Sequence, residues 1–167
     1  MTGFRGTVDF NWDGKKKISF TSQKLESSFA VMNVDGAIEI EKDVKVVIQS
    51  DVADVKQGRE FTSLILKEKF DFPEIRGHGI AEIKILGDYA SPQIKADFIM
   101  APGGFDKFEA RSVSGLAEIA KGELSGLFKI DDPDMKGSLR LVSRPKDLNV
   151  KIHLDEGLVE RIFPALD

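Results

Sequence analysis

The chain has 167 residues, 31% charged and 41% hydrophobic, with a formal net charge of −4. That balance is the composition of a soluble globular chain and excludes a disordered, a nucleic-acid-binding or a membrane-spanning one. No apolar run approaches the roughly 20 residues a membrane helix needs, and the first residues lack the basic and apolar regions of a signal peptide. Cysteine is absent, which excludes disulfides, thiol catalysis and cysteine-based metal sites.

The length suits one domain with a real core or one slice of a longer repetitive protein. Twelve Phe stand against one Tyr and one Trp. The aromatic surface therefore has almost no hydrogen-bonding handles, which suits either an apolar lining or an ordinary core.

In chain order, the first predicted strand runs from Arg5 to Trp12. Asp13-Gly14 follows as a two-residue hairpin signal, because both central positions of a type I′ turn need positive φ. The return strand, Lys15 to Ser22, puts Ile18 and Phe20 on one face and Lys17, Ser19 and Thr21 on the other. A third strand, Glu26 to Val34, ends at a second such turn, Asp35-Gly36. Ile38 and Ile40 then oppose Glu39 and Glu41. After a break at Lys42-Asp43 the next strand groups Val44, Val46 and Ile48 on one face. Five strands within the first fifty residues set an all-β rhythm. From Asp54 to Lys69 the period changes. Phe61, Leu64, Ile65 and Glu68 fall at helical spacing and predict a short helix over 54–69, broken by the Phe70 to Glu74 segment with Pro73.

The stretch Ile75 to Met100 reads as two strands joined by a Gly-Asp-Tyr-Ala-Ser-Pro turn. Ala81, Ile83 and Ile85 alternate with Glu82 and Lys84, and Ile94, Ala96 and Phe98 alternate with Lys95 and Asp97. Pro92, which has no N–H, fits the start of the second strand but not a ladder interior. Ala101-Pro102-Gly103-Gly104 is a loop by composition. Shorter strands follow at Phe105 to Val113, Gly115 to Ala120, Glu123 to Ile130, Met135 to Val142 and Asp147 to Leu154. The run Val44 to Asp51, leading into the first helix, is matched in pattern by Leu148 to Asp155, leading into a second predicted helix over 155–166 with Leu158, Val159, Ile162 and Phe163. Such self-similarity is how stacked architectures announce themselves.

The Gly-punctuated strand with Gly77, Gly79 and Gly87, the turn ending in Pro92, and the second alternating strand together resemble the repeat unit of the TamB/AsmA-like envelope proteins. The resemblance is most specific from Asp54 through Pro92 to Phe98. The chain departs from the family's commonest form at the charged Asp88, Lys95 and Asp97 and in showing no N-terminal membrane anchor. The resemblance implies a long antiparallel sheet curled into a taco-like groove with an apolar interior. It further implies a periplasmic or cell-envelope location, and phospholipid acyl chains held or conducted between membranes, or help with outer-membrane assembly. Its partners would be phospholipid and neighbouring segments joined through sheet edges.

The same problem arises from the residues alone. Many strands with one apolar face each, and two short helices, leave more greasy sheet than the helices can cover. The sheet must close as a sandwich or barrel, or curl into an open trough filled by something else. Parity assigns Ile18, Phe20, Ile38, Ile40, Val44, Val46, Ile48, Ile83, Ile85, Ile94, Phe98, Phe128, Ile130, Val150 and Ile152 to one continuous interior, the expected lining of a lipid groove. The alternative is a closed β-sandwich or barrel serving as a binding or scaffolding module for a carbohydrate or protein, with Trp12 and Tyr89 near its binding edge.

Other chemistry is thin. His78 and His153 sit on the polar parity of their strands, where solvent-facing histidines are the rule. Asp131-Asp132-Pro133-Asp134 lacks the spacing of a calcium loop and reads as an Asx-type turn. Lys15-Lys16-Lys17 solvates a strand end or discourages edge pairing. No Gly-rich loop with a lysine, no serine nucleophile elbow and no zinc-type histidine pair is present. The expectation is a non-enzymatic protein without a cofactor or metal.

Overall fold

Alternating apolar and polar side chains give a strand two faces that want different surroundings, and this pattern fills most of the chain. The computed structural model describes residues 4–52, 75–105, 108–144 and 147–157. Every regular element among them is a strand: β1 (Val8–Trp12), β2 (Lys17–Ser22), β3 (Leu25–Glu26), β4 (Ala30–Glu39), β5 (Asp43–Val52), β6 (Ile75–Asp88), β7 (Gln93–Phe105), β8 (Phe108–Ala110), β9 (Ser112–Ala120), β10 (Glu123–Asp132), β11 (Met135–Arg144) and β12 (Asp147–Gly157).

These strands make one open, curved sheet, antiparallel throughout, in the order β1-β2-β4-β5-β6-β7-β9-β10-β11-β12. The predicted all-β antiparallel sheet is thus present, and it does not close into a sandwich or barrel, since β1 pairs only with β2 and β12 only with β11 among the described residues. The two remaining strands continue their predecessors or successors past a break. β3 pairs with β4 beyond the end of β2, and β8 pairs with β7 ahead of β9, which begins after a bend at Arg111.

Several predicted boundaries are corrected. The loop after β1 is longer than a two-residue turn. Asp13 closes it with its carboxylate, which accepts the N–H of Lys15 at 2.7 Å and of Lys17 at 3.1 Å. Those two bonds hold the Asp13 carboxyl below the usual carboxylate range. Only Gly14 in this loop has positive φ, at 77°.

Asp35-Gly36 is not a turn but the middle of β4. A Cβ on Gly36 would meet the Lys45 carbonyl oxygen at 2.7 Å and Val46 Cα at 2.9 Å, so this glycine serves close approach by β5 and not conformational freedom.

Ala101-Pro102-Gly103-Gly104 is not a loop but the end of β7, with a cis peptide between Ala101 and Pro102. It is held on both sides, Gly103 facing Gly77 of β6 and Ala110 of β8. The single strand predicted over Phe105 to Val113 is correspondingly split. The helix predicted over 54–69 lies outside the described residues, as does most of that over 155–166. The beginning of the latter is strand, because β12 runs on to Gly157.

Among the described residues the least exposed side chains gather in two places. Met135 (1% exposed) packs with Ala110 and Ile130, and Val113 and Leu154 lean on the same cluster. Near the other edge Phe29 and Ala30 are buried, and the Phe29 ring meets Phe4 edge to face at a centroid distance of 5.3 Å. Beside them the buried Ser22 Oγ accepts the N–H of Val34 at 2.9 Å, so its one polar atom is satisfied.

Candidate functional site: the uncharged face of the sheet

Residues directly opposite one another in an antiparallel ladder project to the same side, so the register defines both faces. One row crosses the whole sheet as Phe10, Phe20, Gly36, Val46, Ile85, Ile94, Ile119, Leu124, Ser143 and Leu148. A parallel row runs Met32, Ser50, Ala81, Phe98, Gly115, Phe128, Leu139 and Ile152. Between them lies Val34, Ile48, Ile83, Ala96, Ala117, Gly126, Leu141 and Val150. Flanking rows carry Trp12, Ile18, Ile38, Val44 and Gly87 on one side, and Ala30, Val52, Gly79, Met100, Val113, Ile130, Gly137 and Leu154 on the other. None of these positions is charged. The polar ones are serines.

The register therefore puts the residues expected at a common interior on one face, with Ile40 as the exception. Ile40 lies just past β4 in the turn to β5, its N–H donating to the Lys16 carbonyl at 2.9 Å. Most of the others are half-buried, Val44, Val46 and Ile130 are buried, and Ile152 is exposed. Of Val150 the strand position alone is described.

The face has a textured floor. Phe98 and Phe128 flank Gly115 in the register, and their rings approach to 5.9 Å across it. A Cβ on Gly115 would meet Phe128 Cδ1 at 2.7 Å, and one on Gly126 would meet the same ring at 2.6 Å. The glycines let the Phe128 ring lie flat along the sheet. At the β1 edge Phe10 and Trp12 remain 72% and 65% exposed.

The opposite face is polar and laced with ion pairs. Lys84 bonds Glu82 at 2.6 Å, Gln49 donates to the same carboxylate at 3.3 Å, and Arg144 bonds Glu123 at 2.5 Å. The Lys84 and Gln49 hydrogen bonds hold Glu82 below its usual range. Pairs this exposed contribute little to stability and mark the face as wet. A depression of about 520 Å³ lies on this side, rimmed by Glu82, Lys84, Lys95, Asp97, Glu118 and Arg140, with Leu116 and Leu127 in it.

The remaining singled-out residues are placed as follows. His78 and His153 are exposed, and His153 Nε2 lies 3.2 Å from the Asp155 carboxylate. Asp132 accepts the N–H of Asp134 and of Arg111, each at 3.1 Å, and so ties the β10–β11 turn to the bend before β9. Lys16 pairs with Glu41, linking the β1–β2 loop to the β4–β5 turn. Trp12 and Tyr89 are exposed and lie on different hairpins.

Two groups lie outside the expected lining. Ile119, Leu139 and Leu141 share the apolar face and follow its parity, so alternation was enough to find them. Ile80, Ile99, Leu116 and Leu127 project from the polar face and are 45–60% exposed. Their signal was an apolar doublet in each strand: Ile80-Ala81, Ile99-Met100, Leu116-Ala117 and Leu127-Phe128.

What the described residues define is a single-layer antiparallel meander with one uncharged apolar face and one charged face. No family model, no curated protein and no solved structure matches the chain.

Proposed function

We propose that the chain is an apolar-groove segment of a cell-envelope protein resembling the TamB/AsmA-like group, and that its uncharged face holds or conducts phospholipid acyl chains in a taco-like groove. The observation that carries this reading is the uncharged face running unbroken across an open sheet. A closed domain would hide such a surface against a second layer, whereas an open one leaves it for a ligand. An acyl chain needs continuity and dryness from its site, not chemical precision. Each shielded methylene contributes about 0.8 kcal/mol, so a sixteen-carbon chain gains on the order of 10 kcal/mol before ordering costs. The role is binding and conduction, with no catalytic group required.

The sheet edges fit the same reading. β1 and β12 offer backbone donors and acceptors to neighbouring segments. An added strand beside β1 would also cover Phe10 and Trp12. The charged face would lie on the side away from the lipid.

The experiment is native mass spectrometry of protein purified from cells, comparing wild type with Ile85→Asp. Ile85 stands mid-row, between Val46 and Ile94. Wild type should carry phospholipid, and Ile85→Asp should lose most of it while still unfolding cooperatively, because water reaches part of an open groove. Lipid-free wild type, or equal lipid in both proteins, would overturn the proposal.

A further inference from the structure

On the polar face the register aligns six neighbouring strands as Glu82, Asp97, Leu116, Leu127, Arg140 and Lys151. The row is acidic on β6 and β7, apolar on β9 and β10, and basic on β11 and β12. We infer that this face is a two-fold interface between two copies of the chain, with the symmetry axis running along the strands between β9 and β10.

The inference rests on self-complementarity. A half-turn about that axis reverses the row. It sets Leu116 against Leu127 of the second copy, Asp97 against its Arg140, and Glu82 against its Lys151. Each contact occurs twice, as an isologous interface requires. Neighbouring rows obey the same operation without conflict. Lys84 and Lys95 fall opposite Asn149 and Val142, while Ile80 and Ile99 fall opposite His153 and Ser138. In none of these rows does a charge meet its own sign.

The chain itself leaves these groups available. Leu116 is 57% and Leu127 45% exposed, and they face each other across β9 and β10 as one patch rather than as scattered residues. Asp97, Arg140 and Lys151 make no ion pair among the described residues, although their neighbours Glu82, Lys84 and Glu118 do. Sheets packed face to face stand about 10 Å apart, within reach of Arg140 and of an aspartate. The depression around Leu116 and Leu127 receives the leucines of the second copy. The uncharged faces of both copies then point outward, away from the interface and free for other contacts.

A charge exchange tests this, because Asp97 and Arg140 are both exposed and their replacement leaves the fold intact. Sedimentation equilibrium should show a reversible dimer for wild type. Asp97→Arg alone sets like charges together twice per dimer, as does Arg140→Asp alone. Each should weaken dimerisation by about tenfold or more. An equimolar mixture of the two variants restores both pairs and should dimerise as wild type does, as should the double variant Asp97→Arg/Arg140→Asp. Matching thermal unfolding at concentrations where every form is monomeric confirms that the interface alone has changed. A wild type monomeric throughout, or a dimer indifferent to both single exchanges, as edge-to-edge association would give, overturns the inference. Failure of the mixture to recover also overturns it.

Discussion

Met135→Ala should lower the free energy of unfolding by about 2–5 kcal/mol, among the largest losses from truncating a described side chain. Met135, at 1% exposure, and Phe29, at 3%, are the large side chains buried almost completely among the described residues. It opens β11, and its cluster joins β8 through Ala110, β9 through Val113, β10 through Ile130 and β12 through Leu154. A single layer has few such points, because most of its apolar side chains have sheet on one side only. Removing the thioether leaves a cavity where several strands meet, and strands fixed by their own ladders collapse little to fill it. Urea unfolding should show a lower midpoint with an unchanged slope. Tyr89→Ala, at an exposed position in the β6–β7 turn, should stay within about 0.5 kcal/mol of wild type. Equal effects at the two sites would mean that the cluster does not anchor the sheet.

Gly79→Ala should cost about 3 kcal/mol or more, despite adding one methyl group. The new Cβ would lie 2.0 Å from the Ile99 carbonyl oxygen and 2.8 Å from Met100 Cα. Both obstacles are backbone, so no rotamer change relieves them, and β6 and β7 must separate beside the register shift at Gly77/Gly79. Gly115→Ala would meet the Phe128 ring at 2.7 Å and the Leu127 carbonyl oxygen at 2.9 Å, a less severe backbone approach, and should cost less. Amide hydrogen exchange would locate the damage: protection should fall first around Ile80 and Ile99 in Gly79→Ala. A fully protected β6–β7 ladder in that variant would show that the approach relaxes without strand separation.

Much of the uncharged face was legible because alternation is a local property and every strand pairing preserves it. Ile83 and Ile85 share a parity within β6, as do Ile94 and Phe98 within β7, and the register that sets Ile85 opposite Ile94 puts both pairs on one face, where a one-residue slip would part them. Strand ends were less legible, and glycine is the reason. At Asp35-Gly36 and Gly103-Gly104 the residue type fits a turn equally well, yet Gly36 admits the β5 backbone and Gly103 the Val113 side chain, each inside a strand. That distinction depends on the partner strand. The Asp13 loop failed differently, since the carboxylate bonds two later N–H groups and stabilises a longer loop than the dipeptide suggests. Openness of the sheet was not legible, because alternation says which face is greasy and not whether the two edges meet. The apolar doublets on the polar face are visible in the sequence, but only the register turns them into a patch.

Photo-crosslinking in living cells tests the lipid-holding face most directly. A photoreactive residue at Ile85 or Phe98 projects from the uncharged face, while one at Lys84 or Lys95 sits on the same two strands and projects the other way. The account predicts phospholipid adducts at Ile85 and Phe98 and none at Lys84 or Lys95. Adducts equally frequent on both faces, or absent from Ile85 and Phe98 in a protein that unfolds cooperatively, would contradict it.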